Sequence, residues 1–70
     1  MWMGEAETAY LDARASARWA MTVRLRWQER RARGKAQERR LDLRGRARLT
    51  AVRDELRARG EVVPPLNRER

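Results

Sequence analysis

The chain has no cysteine, no histidine, no isoleucine and no phenylalanine. Without cysteine there is no disulfide and no thiolate nucleophile, and without histidine the usual zinc ligand sets cannot be assembled. The remaining catalytic material is thin: Ser16 is the single serine, Tyr10 the single tyrosine, and there are three threonines. No spaced carboxylate set suggests a metal site, and no glycine-rich loop follows a strand to cradle a phosphate. These absences exclude the common enzyme classes. No enzyme activity, no cofactor, no metal and no small-molecule substrate is expected.

Proline occurs only at Pro64 and Pro65, and glycine only at positions 4, 34, 45 and 60. Long helices are therefore free of breakers. No apolar run approaches the roughly 18–20 residues of a membrane span. The N-terminal Met-Trp-Met-Gly-Glu-Ala-Glu is acidic and lacks the basic leader and apolar segment of a signal peptide. A cytoplasmic protein without a membrane partner is the expectation. Large aliphatic residues are scarce too: Leu and Val together make up 11 of 70 residues, while 11 more are alanine. A chain of this length buries only about 60% of its unfolded surface, so one domain with a thin core is expected.

What is abundant is arginine, 17 of the 18 basic residues. The net charge of +8 is concentrated in the middle of the chain. Between Arg14 and Arg53 there are 14 basic residues against Glu29, Glu38 and Asp42, whereas the flanking segments are slightly acidic. A basic centre between acidic ends suits a polyanion or an acidic protein surface.

The pattern predicts an all-α fold, a small helical hairpin of two helices over about 5–33 and 35–59. It forms a single helical domain over 1–60, followed by an extended Pro-containing C-terminal tail over 61–70. Gly4 can cap the first helix, with Glu5 and Glu7 at its positive end. Ala6, Ala9, Tyr10, Ala13, Ala17, Ala20, Met21 and Trp27 then share one helical face suited to close approach by a second helix. Trp2 sits in an apolar N-terminal tip, and Trp19 and Trp27 are expected to anchor the hairpin. Gly34 costs a helix interior about 1 kcal/mol relative to Ala and is the expected hinge. In the second helix Leu41, Gly45, Leu49, Val52 and Leu56 form a narrow apolar seam of coiled-coil width. Gly45 can also mark a break, with Asp42 or Thr50 capping a shorter final helix. Gly60 is a good terminator, and Val62-Val63-Pro64-Pro65-Leu66 cannot continue a helix.

Two stretches carry local resemblances. Thr22-Val23-Arg24-Leu25-Arg26-Trp27 alternates polar with apolar, a half-buried strand pattern that competes with the helix. A short basic strand before two helices resembles a ribbon-helix-helix DNA-binding protein, and that resemblance implies Thr22, Arg24 and Arg26 facing the major groove. Leu49 to Gly60, with its leucine-threonine start, acidic pair and closing glycine, is similar to the first helix of SAP-type DNA-binding modules. The second helix of such a module has no counterpart here.

These features point to a small basic nucleic-acid-binding or nucleic-acid-associated accessory protein that contacts phosphates through arginine rows. The expected contacts are Arg24, Arg26, Arg30, Arg31, Arg33, Lys35, Arg39, Arg46 and Arg53. Trp19, Trp27, Leu41, Leu49, Val52 and Leu56 are the expected apolar anchors. One alternative is a small phage or mobile-element-type regulator or assembly factor that binds a larger protein through Trp, Arg and Met. Another is a homo-oligomeric helical module associating through the leucine seam.

Overall fold

The structure, a computed structural model, describes residues 4–37 and 39–65. The apolar tip around Trp2, Glu38, and the tail beyond Pro65 with Leu66 lie outside the described residues. The described chain is all-α, and it forms three helices rather than two: α1 (Glu5–Trp19), α2 (Thr22–Gln37) and α3 (Leu43–Ala58). Residues 61–65 follow α3 without helix or strand.

The first expected helix breaks at Ala20–Met21, where no glycine or proline stands. The break has a tertiary cause. A helix end leaves unsatisfied carbonyls, and here the Arg59 guanidinium, arriving from the far end of α3, supplies donors to them. It donates to the carbonyls of Ala17 (2.9 Å) and Arg18 (3.1 Å) and to Thr22 Oγ1 (3.0 Å), while its Nε bonds Glu55 (2.9 Å). One side chain thus stops α1 and clamps the start of α2. The turn places Leu25 in the interior, fully buried, in a small core with Ala17 and Leu56, flanked by Ala20, Val52 and Val63.

Gly34 is not the hinge. It lies inside α2, which runs on to Gln37. The end of α2 has the hydrogen-bond pattern of a Schellman cap: Arg40 N donates to the Lys35 carbonyl (2.8 Å) and Arg39 N to the Ala36 carbonyl (3.0 Å). The residue in the left-handed position is Arg39, with φ 58°, where glycine is usual. The end of α3 repeats the motif with glycine in place. Glu61 N bonds the Leu56 carbonyl, Gly60 N bonds the Arg57 carbonyl, and Gly60 has φ 83°. Asp42 opens α3 by accepting a bond from Gly45 N at 2.7 Å, so Gly45 is the third helical residue and not a break.

Helix α3 is the spine. Along it α1 runs parallel, as successive pairs show: Glu5–Arg44 at 3.5 Å, Tyr10–Asp54 at 2.7 Å, and Arg14–Glu55 at 3.5 Å. Helix α2 runs antiparallel, with Thr22 against Arg59 and Glu29 against Arg53. Both pack on α3 but barely touch each other. They diverge as a V from the corner at Ala20–Met21, and the molecule is flat, 35 × 28 × 18 Å.

The segment Thr22–Trp27 is helical, the first turns of α2, so the strand reading and the ribbon geometry are overturned. In a half-buried strand Val23, Leu25 and Trp27 would share one side. In α2 Leu25 is buried while Val23 and Trp27 are exposed, the three-to-four-residue spacing of a helix. The alanine face of the first helix ends with the same corner: Ala9 and Ala17 are buried on it, but Met21 and Trp27 lie beyond the turn and point elsewhere.

Candidate nucleic-acid interface

The antiparallel hairpin of α2 and α3 folds the second half of one arginine-rich segment against the first half of the other. Its tip carries Arg30, Arg31 and Lys35 from α2, Arg39 from the turn, and Arg46 and Arg48 from α3. Arg30, Arg39, Arg46 and Arg48 are exposed, and like Lys35 they make no ion pair among the described residues. Arg31 is exposed and lies over the Trp27 ring, 5.3 Å from its centroid, a cation–π contact that leaves its charge at the surface.

Of the acids between Arg24 and Arg48, Glu29 and Asp42 have partners within the chain, and Glu38 lies outside the described residues. Glu29 is 5% exposed and accepts from Arg53 Nη1 at 2.8 Å, with Arg33 Nε at 3.6 Å. Asp42 is committed to capping α3. Burying Glu29 takes Arg53 inside with it, and Asp42 remains exposed, so the surface keeps the net positive charge that the composition sets.

The expected contacts are distributed unevenly. Arg24 is exposed on one wall of the V; Arg26 is exposed but paired with Glu61 across to the tail. Arg33 is half-buried against Glu29. Arg53 is misplaced by the sequence reading: only 3% exposed, it bonds Glu29 and the Pro64 carbonyl (2.6 Å), and it cannot meet a partner at the surface. Arg39, Arg46 and Arg53 stand seven residues apart in the sequence but form no row, because α3 begins at Leu43 and leaves Arg39 in the turn. A seven-residue spacing also drifts around a straight helix, by about 20° per heptad. Arg48 was the residue missed among the expected contacts, although its four-residue spacing from Arg40 and Arg44 was a readable signal.

The apolar anchors divide in the same way. Leu49 and Leu56 are buried and Leu41 and Val52 half-buried, so most of the leucine seam is occupied within the chain. Trp19 and Trp27 do not anchor the hairpin within the chain, being 86% and 59% exposed. They stand with Met21 around the V because the corner turns them outward instead of onto α3.

Tyr10 donates to Asp54 Oδ2 at 2.7 Å. That bond to a carboxylate raises the phenol above its ordinary value of 10.0, with desolvation and the Asp54 charge adding to it and Arg14 opposing. Among the described residues no group of acids could hold a metal ion, and no helix is long and apolar enough to cross a membrane. No protein-family model matches the chain, and no curated protein or solved structure matches it.

Proposed function

We propose that the protein is a nucleic-acid-binding accessory protein, a binder rather than a catalyst, and that it holds phosphates at the tip of the α2–α3 hairpin. The observation that carries the reading is the set of exposed cations at that tip. Arg30, Arg39, Arg46 and Arg48 lie at the surface and make no ion pair among the described residues. Arginine suits the task, since its guanidinium can bind phosphate through two parallel hydrogen bonds. The tip offers phosphate contacts spread over two helices and a turn, an arrangement that positions a backbone without reading its bases. The chain contains neither histidine nor cysteine, so Ser16 lacks an imidazole to activate it, which favours binding over catalysis.

The test is fluorescence anisotropy of labelled duplex and single-stranded oligonucleotides titrated with the full chain over a range of salt. If four or five phosphates are neutralised, log K falls against log salt with a slope of about −4 on duplex DNA. Replacing Arg30, Arg39 or Arg46 singly with Gln should make the slope shallower by about one unit each. Absence of binding at low salt, or binding indifferent to salt, refutes the reading.

A further inference from the structure

The V between α1 and α2 is an open groove of about 830 Å³, floored by α3. Its two sides differ in chemistry. The α1 side presents the half-buried Ala13 and the exposed Ser16 beside the buried Ala9 and Ala17, with Asp12 as its only charge. Across from it lie Arg24, Arg31 and Lys35 from α2 and Arg48 from α3, while Arg44 of α3 reaches towards Glu5 of α1. At the closed end stand Trp19, Met21 and Trp27, which are 86%, 72% and 59% exposed. A soluble protein rarely leaves so much large apolar surface gathered in one place unless something covers it.

We propose that this groove is the docking site for an amphipathic helix of another protein, one that bears carboxylates along a single flank. Shape supports a helix. Both α1 and α2 pack on α3 while barely touching each other, so a further helix can lie in the V in contact with all three. Packed helices lie about 8–10 Å apart, and small residues at the contact favour the shorter distance, which the alanine wall permits. The exposed tryptophans and Met21 provide anchors of the types enriched at binding hot spots and adaptable surfaces.

Charge selects the occupant. All five groove cations lie on the α2 and α3 sides, and Arg24, Lys35 and Arg48 make no ion pair among the described residues. Arg44 has only the exposed Glu5 pair at 3.5 Å, a bond readily exchanged for one to an incoming carboxylate. A helix with its apolar face down and its acids turned towards α2 satisfies this asymmetry. A nucleic-acid strand would set phosphates against Asp12 and a wall of alanine methyls. A second copy of the chain, with net charge +8, would bring cations against cations.

Arg31, Lys35 and Arg48 border both the groove and the tip, whereas Arg30, Arg39 and Arg46 do not line the groove. The groove is therefore tested against those last three with two synthetic helical peptides of about 15 residues, near the length of α1. Both have a leucine and alanine face; one carries glutamates along one flank and the other carries lysines there. Anisotropy of each labelled peptide with the full chain should show the glutamate peptide binding at least about tenfold more tightly. The double variant R24E/R31E, altered only at exposed positions, should abolish that preference, because Asp12 and the two new glutamates then balance Lys35, Arg44 and Arg48. A13R should fill the groove and release the glutamate peptide, with circular dichroism checking that helicity is retained. Equal affinity of the parent chain for the two peptides, or a preference unchanged in the double variant, overturns the proposal. So does self-association in sedimentation that A13R abolishes, which would make a second copy the occupant. Oligonucleotide binding that A13R abolishes while R30Q, R39Q and R46Q leave it intact would assign the groove to nucleic acid and overturn it equally. Weaker oligonucleotide binding with a shallower salt slope in the R30Q, R39Q and R46Q variants, with peptide binding unchanged, is the expected outcome.

Discussion

Replacing Glu29 with Leu removes the carboxylate that faces Arg53 in the interior. Glu29 and Arg53 are 5% and 3% exposed and meet at 2.8 Å, and the Arg53 guanidinium otherwise donates to the Pro64 carbonyl. A buried cation that loses its partner costs about 3–5 kcal/mol. A domain of this size holds roughly 3–10 kcal/mol in total at about 0.05–0.15 kcal/mol per residue. Glu29→Leu is therefore expected to remove much or all of the folding stability. Arg53→Met should cost a comparable amount by leaving Glu29 with only Arg33, 3.6 Å away. The double variant restores a consistent apolar interior and should return to within about 1 kcal/mol of the parent, or exceed it. Urea unfolding followed by circular dichroism at about 222 nm measures all four proteins. The denaturant slope also reports whether the residual state is compact. The reasoning is refuted if Glu29→Leu loses less than about 0.5 kcal/mol, as an exposed pair would, or if the double variant is no better than the singles.

Gly34→Ala should stabilise the fold by about 0.5–1 kcal/mol, because position 34 is helical and an added Cβ meets nothing within 4 Å; a destabilised variant in the same urea assay would restore the hinge. Arg59→Met deletes the donors that end α1 and hold Thr22, and a loss of about 1.5–3 kcal/mol is expected in thermal unfolding; a melting temperature unchanged from the parent would show that the corner forms without it. The bond from Tyr10 to Asp54 holds the phenol above its ordinary value, so the folded state binds that proton more tightly than the unfolded chain. The resulting stabilisation is complete below about pH 10 and is lost as pH rises through the folded value. Tyrosinate absorbance of this single tyrosine should titrate at higher pH in buffer than in denaturant, and coincident curves would refute the bond.

The all-α class was legible in the sequence, although Thr22–Trp27 also read as a strand and Asp42 and Thr50 competed as caps. Alanine, leucine and arginine fill long stretches free of proline, and the stop at Gly60 is a chemical signal a short segment carries by itself. The basic centre was equally legible, since charge is additive along a chain. Tertiary structure decided the number of helices. No residue near Ala20 breaks a helix, and the corner exists where Arg59, some forty residues away, meets open carbonyls and Leu25 finds the core. Tertiary packing also sorted the arginines and tryptophans. Arg53 and Arg46 differ by one heptad, yet one is drawn inside by Glu29 and the other faces water. Trp19 and Trp27 looked like core because large aromatic residues are usually buried; the corner left them at the rim of the V. A helical projection assumes one straight axis, and it fails wherever a long-range contact bends the chain.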